Sequence, residues 1–435
     1  MKKVAFCTLG CKVNQYESEA VSSLFEKNGY EVVDFNEKAD VYVINTCTVT
    51  GISARKSRQM IRRAKALNND AILVAMGCYS QTAPEEVNRI SGVNLIIGTK
   101  DRDRIIEYIK EIEDGRQKVN VVGNIMQARN FEDLYVSEYR GRTRAYIKIQ
   151  EGCTQFCSYC IIPYARGPIR SREPQDIMKE VKKLADNGFK EVILTGIHVA
   201  SYGRDLKNTS LLDIIQRIHE IEGIERIRLS SVEPGIITSE FVRVVKNLEK
   251  VCPHYHISLQ SGCDDTLKRM NRKYNTYEYR NIVDRLRDNI EDVSITTDIM
   301  VGFPGETDWE FEQTYKFVKE ICFSKMHVFR FSPRKGTPAY SFADQISGGV
   351  KETRSTRLIK LSDECALKFH KQFIGREMLI LFEEEKNIPG FFEGLTPNYI
   401  RVFCKGDNSL IGEIRKTVLT EAKSDYVRGE ISNLA

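Results

Sequence analysis

Residues 144–160 read RAYIKIQEGCTQFCSYC, and this stretch decides how the rest of the chain is interpreted. Residues 144–149 are typical of a strand, and three cysteines, Cys153, Cys157 and Cys160, follow it within eight residues. Three thiolates in this pattern can hold three corners of a 4Fe-4S cluster and leave the fourth iron open to a substrate. The spacing differs from the cysteine run of ferredoxins, whose thiolates occupy every iron.

A zinc knuckle built on Cys157 and Cys160 is the alternative interpretation of these residues. Zinc needs further ligands at similar range, and no cysteine or histidine lies between Cys160 and His198. The sequence therefore favours the cluster.

The composition describes a globular chain of 435 residues, 41% hydrophobic and 29% charged, which indicates two or three domains. No apolar run approaches the ~20 residues of a membrane span, and the N-terminus becomes polar too early for a secretory signal. Twelve cysteines in such a chain favour metal ligation over disulfides. We therefore expect a cytoplasmic protein with no membrane partner, while the net charge of +5 does not identify a polyanionic partner.

Residues 1–114 alternate short apolar strands with amphipathic helices, which predicts an N-terminal parallel α/β domain with ligands at the carboxyl ends of its strands. Residues 115–143 are more polar, and we interpret them as a connector. The predicted strands are residues 3–7, 41–44, 71–75 and 94–97, and the predicted helices are residues 14–28, 54–67 and 84–90.

Residues 144–350 repeat a strand–helix unit six times, which is too few for a closed eight-stranded barrel. We expect a central partial (β/α)6 barrel with its chemistry on the loops after the strands, and the cysteine triplet lies on the first such loop. The predicted strands are residues 144–149, 191–194, 226–229, 254–259, 294–301 and 326–331.

The remaining sequence predicts a helical linker at residues 351–372 and a small antiparallel β-barrel at residues 373–435, which makes the fold class α/β overall. Acidic residues outnumber basic ones after residue 372, so the composition of this barrel does not indicate RNA binding. One basic side of it remains a candidate RNA contact: Arg401, Lys405, Arg415 and Lys416.

A second set of cysteines, Cys11, Cys47 and Cys78, follows three strands of the first domain. Segments after adjacent parallel strands converge on one edge of the sheet, so these thiolates can meet and hold a second cluster. Buried cysteines also occur as small apolar side chains. We give that interpretation to the other six: Cys7, Cys252, Cys263, Cys322, Cys365 and Cys404.

With both cysteine sets in hand, the chain resembles the methylthiotransferases, a branch of the radical S-adenosylmethionine (SAM) enzymes, over nearly its whole length. Besides the triplet, the resemblance is carried by TLGCKVN at residues 8–14, NTC at 45–47, LTG at 194–196, SSVE at 230–233, SLQSG at 258–262 and GFPGET at 302–307. The last barrel is similar to the family's TRAM domain.

Within the family, TLGCKVNQYESE at residues 8–19 and NTCTVT at residues 45–50 look most like the members that modify threonylcarbamoyladenosine in tRNA. Sister groups modify isopentenyladenosine in tRNA or an aspartate of a ribosomal protein, and both remain alternatives. A non-catalytic iron–sulfur or zinc RNA-binding protein is a third reading, and it predicts no cleavage of SAM by the reduced protein.

The resemblance implies two 4Fe-4S clusters and SAM as cofactors. The open iron at Cys153, Cys157 and Cys160 binds SAM, and its reductive cleavage gives a deoxyadenosyl radical that activates C2 of the modified adenine at position 37. Because C2 carries no leaving group, the cofactor must supply the difficult step. The cluster on Cys11, Cys47 and Cys78 binds or supplies sulfur, and another SAM methylates it.

The resemblance also implies that the loops after the barrel strands hold SAM. Asp298 lies in an apolar strand, so either a ligand or a structural partner must satisfy its carboxylate. The candidate cofactor-binding residues are Thr195, Gly196, Ser231, Glu233, Gln260 and Asp298.

One basic helix face in the first domain is a candidate RNA contact, since Arg55, Arg58, Arg62 and Lys65 recur at helical spacing. No Asp or Glu occurs at residues 41–69, although a solvated surface is the other interpretation. We expect the tRNA anticodon stem-loop as partner, a flavodoxin or ferredoxin as electron donor, and a monomer. Further arginines flank the triplet as candidate RNA or cofactor contacts: Arg140, Arg142, Arg144, Arg166, Arg170 and Arg172.

Overall fold

The computed structural model describes residues 1–136, 143–385 and 389–432. Arg140 and Arg142, two of the arginines that flank the triplet in sequence, lie outside these residues. Within the described ranges, no helix is both long and apolar enough to cross a bilayer.

The first region is a six-stranded parallel sheet with the order β2-β1-β3-β4-β5-β6. Its strands are β1 (Lys3–Thr8), β2 (Glu31–Val33), β3 (Val41–Thr46), β4 (Ile72–Gly77), β5 (Val93–Ile96) and β6 (Val119–Asn120). Its helices are α1 (Lys12–Lys27), α2 (Gly51–Leu67), α3 (Cys78–Thr82), α4 (Pro84–Asn88) and α5 (Ile105–Glu113). The parallel α/β sheet is confirmed, while β2 and β6 are additions to the four predicted strands. Because β6 falls within residues 115–143, part of the predicted connector joins this sheet.

Within the described residues, the central region carries seven strands in two groups, with the orders β10-β9-β7-β8 and β11-β12-β13, and all but β8 run parallel. Its strands are β7 (Arg144–Glu151), β8 (Arg170–Ser171), β9 (Glu191–Gly196), β10 (Arg226–Leu229), β11 (His254–His256), β12 (Ser294–Val301) and β13 (Lys325–Arg330). Its helices are α6 (Ile162–Arg166), α7 (Pro174–Asp186), α8 (Leu211–His219), α9 (Ser239–Val245), α10 (Asp264–Arg269), α11 (Thr276–Asn289) and α12 (Asp308–Ile321).

These strands form the predicted partial barrel. Isolated bridges from Ile227 to Val251 and from Val232 to Ile257 connect the two strand groups. The short β8, which pairs antiparallel with β7, was not predicted, and β11 ends three residues before the predicted strand does.

The two faces of the barrel strands have different chemistry. On β7, Ala145, Ile147 and Ile149 pack into the large core beneath the helices. Because strand side chains alternate, the intervening residues of β7 face the inside of the barrel, which we call the lumen. Those lumen residues are Arg144, Tyr146, Lys148 and Gln150.

Helix α13 (Gly348–Lys371) leads into a closed five-stranded barrel with the order β14-β15-β16-β18-β17. Its strands are β14 (Glu377–Glu385), β15 (Phe391–Leu395), β16 (Arg401–Lys405), β17 (Ile414–Ala422) and β18 (Val427–Ile431). The pairings are antiparallel except for β16 with β18, which run parallel.

This last barrel covers the floor of the lumen, at the N-terminal ends of the central strands. Arg228 on β10 donates from Nη1 to the carbonyl oxygen of Pro397 at 2.9 Å. The Tyr399 ring stacks on His254 with 4.4 Å between ring centroids, and its backbone has φ of +72°, in the left-handed region. Arg144 forms an ion pair with Glu383. The C-terminal domain is therefore a wall of the central barrel.

A buried carboxylate, Glu191 on β9, sits among the arginines of this floor. Burial disfavours its charge, but Arg228 at 2.8 Å, helped by Arg144 and Arg226, lowers the pKa of Glu191 to about 2. Glu191 is therefore ionised at neutral pH and neutralises part of the arginine cluster.

Candidate active site

The triplet Cys153, Cys157 and Cys160 lies on the loop between β7 and α6, where the backbone is fixed at both ends. Gly152 has φ of +77°, and a Cβ there would lie 1.8 Å from the carbonyl oxygen of Pro168, so a side chain does not fit. The N–H of Cys153 donates to the carbonyl of Gly167 at 3.0 Å, and that of Cys160 to Cys157 at 2.9 Å. The three thiols are therefore presented from one rigid loop.

The thiols of this loop lie close enough to act on one another's charge; Cys157 is buried, and Cys153 and Cys160 are partly buried. Burial, with the neighbouring Cys157, raises the pKa of Cys153 to about 11 and that of Cys160 to about 12. Thiolates held in such a place need positive charge beside them, which the irons of a cluster provide. The donor set therefore fits a cluster with one open iron.

Arg272 is a cation in direct contact with this loop. Its Nη1 donates to Cys157 Sγ at 3.2 Å, and its Nη2 lies 3.1 Å from a carboxylate oxygen of Glu233. The guanidinium therefore connects one thiol of the triplet with a residue of the SAM pocket predicted from sequence.

The second cysteine set meets at the carboxyl edge of the first sheet. Cys11 precedes α1, Cys47 follows β3, and Cys78 begins α3 after β4. A Cβ on Gly10 would lie 3.1 Å from Cys47 Sγ, so a glycine there leaves room for that thiol. Burial raises the pKa of Cys78 to about 12, and the charges of Cys11 and Cys47 act in the same direction. The structure thus brings these three cysteines together, as parallel-sheet geometry predicts.

Neither cysteine set has the compactness of a site for one zinc ion. Zinc–sulfur bonds of about 2.3 Å place tetrahedral sulfurs less than about 4 Å apart. Among the described residues, one group of three ligand atoms lies within 4.8 Å of one another, and it comprises Cys263, Asp265 and Glu310. The Glu310 carboxylate in that group is already bound by Arg269 at 2.7 Å. The cysteine sets instead suit clusters, whose thiolates bind different irons.

Arg166, at the end of α6, is fully buried between the second cysteine set and the end of β7. Its Nε donates to Cys78 Sγ at 3.1 Å, and its Nη2 donates to Asn14 Oδ1 at 2.6 Å. Its Nη1 lies 2.5 Å from Glu17 and 3.2 Å from Glu151, two residues before the triplet. One side chain therefore contacts a cysteine of the second set and the end of the strand that leads into the triplet.

Glu17 on α1 is the centre of this buried ion network. Arg102 lies 2.5 Å and Lys148 lies 2.7 Å from its carboxylate oxygens. Burial opposes ionisation, but these two cations and Arg166 outweigh it and hold the pKa of Glu17 well below its usual range. The network fixes the first domain against β7 and the cysteine loop.

Two cavities lie in the central region. One opens at the carboxyl ends of the strands, and the other lies inside the barrel. The first, of about 570 Å³, has Gln155, His198 and Glu233 in its wall. The second, of about 860 Å³, lies in the lumen, and we call it the lumen cavity. Its wall includes Gly10 and Lys12 from the first domain, Ser231, His256, Asp298 and His327 from the central strands, and Tyr399 from the last barrel.

The cofactor-binding residues predicted from sequence do not all line the same cavity. Glu233 lines the first cavity, where its carboxylate lies 2.5 Å from His198 Nε2. Ser231 and Asp298 line the lumen cavity, and His256 Nε2 lies 3.2 Å from Asp298, so a structural partner satisfies this carboxylate.

The other three predicted cofactor residues line neither cavity. Thr195 is buried, Gly196 packs against Gln150, and Gln260 has φ of +71° where it bridges to β12. Thr195 and Gly196 end β9 directly beside the cysteine loop, in register with β7.

Several site residues were missed or misassigned from the sequence. Arg166, Arg170 and Arg172 are buried, so they offer no surface to RNA, which contradicts the RNA half of that prediction and leaves the cofactor half as a prediction. Gln150 was not singled out, yet its amide donates to the carbonyls of Glu151 and Gly152 at 2.8 and 2.7 Å.

The predicted basic face lies on α2. Arg58, Arg62 and Lys65 line one groove with Glu86 and Arg89, and Arg55 is exposed outside it. Arg58 donates to Tyr79 at 3.0 Å. In the described part of the chain, Arg55 and Arg62 have no carboxylate within ion-pair distance, so their charges are available to a partner.

The predicted basic side of the last barrel is mostly neutralised. Arg401 lies 3.2 Å from Glu393, Lys416 lies 3.4 Å from Glu377, and Arg415 lies 3.9 Å from Glu413. The basic groove on α2 is therefore the stronger candidate for phosphate contact.

Three protein-family models match the chain, and together they cover most of it. The Radical SAM superfamily matches residues 147–318, the Uncharacterized protein family UPF0004 matches residues 3–98, and the TRAM domain matches residues 371–432.

Solved structures share the fold at low sequence identity. The radical SAM methyltransferase TsrM from Kitasatospora setae superposes with a TM-score of 0.58 at 17% identity, covering 78% of this chain and 75% of that one. The cobalamin-dependent radical SAM enzyme OxsB superposes with a TM-score of 0.52 at 12% identity, over 85% and 56%.

Curated relatives are similar over nearly the full length. The threonylcarbamoyladenosine tRNA methylthiotransferase MtaB of Bacillus subtilis is 45% identical over 99% of this chain and 96% of its own. The MtaB of Aquifex aeolicus is 40% identical over 93% and 97%. A tRNA-2-methylthio-N(6)-dimethylallyladenosine synthase of Pelotomaculum thermopropionicum is 35% identical over 99% and 98%. With its two converging cysteine sets and these full-length relatives, the chain belongs to the methylthiotransferase family of radical SAM enzymes.

Proposed function

We propose that this protein is a tRNA methylthiotransferase that converts N6-threonylcarbamoyladenosine at position 37 to its 2-methylthio derivative. The observation that carries the proposal is that Arg166 contacts both Cys78 of the second cysteine set and Glu151, two residues before the triplet. Relatives named for this reaction, at 36–45% identity over 93–99% of this chain, support the choice of substrate.

Cys153, Cys157 and Cys160 would hold one 4Fe-4S cluster, and Cys11, Cys47 and Cys78 would hold a second. Bound beside SAM, these groups supply a radical that can activate a carbon without a leaving group, together with the sulfur to be transferred. Arg272 steadies the Cys157 thiol, and Arg166 steadies that of Cys78.

The remaining residues bind and orient the reactants. Glu233 and His198 bind the polar part of SAM in the first cavity, and Thr195, Gly196 and Gln260 shape the strand ends beside it. The lumen cavity receives the modified base, with Ser231 and Asp298 in its wall. The TRAM-like barrel closes the floor of the lumen cavity and excludes water from it.

The anticodon stem-loop approaches along the first domain in this proposal. Arg55 and Arg62 stand exposed on α2, and the groove containing Arg58, Arg62 and Lys65 provides further positive charge for backbone phosphates. The protein works as a cytoplasmic monomer, and a flavodoxin or ferredoxin delivers the electron.

The test of the substrate uses the reconstituted, reduced protein with SAM and two stem-loops. One carries threonylcarbamoyladenosine and the other carries dimethylallyladenosine, and nucleoside products are measured by mass spectrometry. We expect the methylthio product from the first stem-loop only. Product from the second alone would replace the substrate with that of the dimethylallyladenosine synthases, and product from neither would turn attention to the ribosomal-protein aspartate.

The second cluster gives a separate prediction. Replacing Cys11, Cys47 and Cys78 together with alanine lowers the bound iron by about half, because one of two clusters is lost. Reductive cleavage of SAM at the triplet persists in this variant, while methylthio product disappears. Iron analysis and Mössbauer spectroscopy measure the first effect, and unchanged iron would rule out a cluster at this set.

A further inference from the structure

Lys12 differs from the other basic residues in the wall of the lumen cavity. Three of these, Arg144, Lys325 and Arg401, form ion pairs with Glu383, Asp363 and Glu393, respectively. Lys12 has no carboxylate within 4.0 Å anywhere in residues 1–136, 143–385 and 389–432. Its Nζ instead stands 5.8 Å from the centroid of the Tyr146 ring. Among the described residues of the cavity wall, Lys12 is therefore the lysine without an ion-pair partner, although Tyr399 and Glu191 act on its charge from a distance.

Lys12 lies towards the floor of the lumen cavity, where Tyr399, Arg144 and Arg228 act on its charge. It follows Cys11 directly and begins α1, so it lies beside the second cysteine set. Tyr146 belongs to the lumen face of β7, two residues before Lys148, which contacts Glu17 in the ion network. The ammonium group thus projects from the sulfur-donating side into the space between the first domain and the barrel.

The chemistry of the proposed substrate supplies the missing anion. The threonylcarbamoyl group is attached to N6 of adenine and ends in an α-carboxylate. C2, the carbon that receives sulfur, and N6 lie on either side of N1 along the same edge of the purine. A base whose C2 faces the cysteine sets therefore carries its N6 substituent into the same cavity, and a dimethylallyl group there would bring no charge.

We propose that Lys12 binds the threonyl carboxylate of the substrate and so selects threonylcarbamoyladenosine over uncharged N6-modified adenosines. This inference rests on the proposed function and names a specificity residue for it. A charge-assisted hydrogen bond in a partly buried cavity is stronger than one in water, so its loss is measurable in substrate affinity.

The test changes both sides of the contact. Stem-loops carry either threonylcarbamoyladenosine or its carboxamide analogue, in which the threonyl carboxylate is a neutral amide. The reconstituted wild type, Lys12→Met, Lys12→Arg and Lys27→Met are compared by dissociation constant and by KM and kcat. Lys27→Met is the matched control because Lys27 is an exposed lysine at the other end of the same helix.

We expect the wild type and Lys27→Met to bind the acid roughly ten- to hundredfold more tightly than the amide. Lys12→Met loses this preference by weakening acid binding alone, and Lys12→Arg retains part of it. Iron content and SAM cleavage without RNA stay at wild-type level, which separates a substrate contact from damage to the clusters.

Two results would overturn the assignment: a wild type that binds acid and amide equally, or a Lys12→Met variant that keeps the acid preference. Failure of the proposed function looks different, because the wild type would then form no methylthio product from the acid stem-loop. A third pattern would assign Lys12 to the second cysteine set instead. In that pattern Lys12→Met loses iron, and Lys12→Arg keeps the wild-type preference for the acid over the amide.

Discussion

Replacing any one of Cys153, Cys157 and Cys160 with alanine abolishes reductive cleavage of SAM. The three thiols come from one loop that Gly152 and two backbone hydrogen bonds hold in place, so no neighbouring residue can move in as a substitute ligand. A cluster with two thiolates is lost or loses its open iron. The measurement is 5′-deoxyadenosine formed by the reduced protein, together with bound iron.

The matched control for these variants is Cys263→Ala. Cys263 is also a buried cysteine on a loop near the carboxyl ends of the central strands, but it belongs to neither set. This variant keeps wild-type cleavage and iron content. Cleavage retained in any variant of the triplet would contradict the assignment of the open iron to this loop.

Replacing Arg166 with methionine destabilises the protein by about 3–5 kcal/mol, the usual cost of breaking a buried ion pair. The substitution leaves Glu17 and Glu151 buried with fewer cations, and it removes the N–H that bonds to Cys78 Sγ. The shift of the urea unfolding midpoint measures the loss of stability, and the iron content reports the second cysteine set.

A second substitution tests the cause of that loss. In Arg166→Met, the buried Glu17 carboxylate has lost one of its cations. Because Glu17→Gln removes that negative charge, we expect the double variant to recover part of the stability lost in Arg166→Met. Arg62→Met, which removes an exposed arginine without an ion pair in the described residues, changes the midpoint little. A double variant no more stable than Arg166→Met would show that the unpaired carboxylate is not the source of the loss.

The parts of the fold that sequence predicts are those with strong local patterns. The strand over residues 294–301 was predicted with its observed bounds, because five of its eight residues are β-branched, namely Ile295, Thr296, Thr297, Ile299 and Val301. β2, β6 and β8 were missed, since strands of two or three residues have no period to detect. β11 was predicted too long, because the apolar residues after His256 are buried without continuing the ladder.

The candidate site likewise contains residues that a local sequence pattern identifies and residues that no such pattern identifies. The cysteine sets stand out because ligands at close or matching positions form a pattern along the chain. Arg166 and Arg272 act through contacts 88 and 115 residues away in sequence, and no local pattern identifies which cation will approach which thiol. In the sequence, Lys12 is only one residue of the TLGCKVN motif. Its position in the wall of the lumen cavity is what suggests the proposed contact with a carboxylate.

The contact between the last barrel and the lumen floor has a consequence for domain exchange among relatives. Arg228 bonds the main-chain carbonyl of Pro397, whereas the stack of His254 on Tyr399 depends on both side chains, so we expect positions 254 and 399 to change together. A chimaera that takes its C-terminal domain from another family member would leave a gap or a clash beneath the substrate. Such a graft would succeed only when the donor's matching floor residues are transplanted with it.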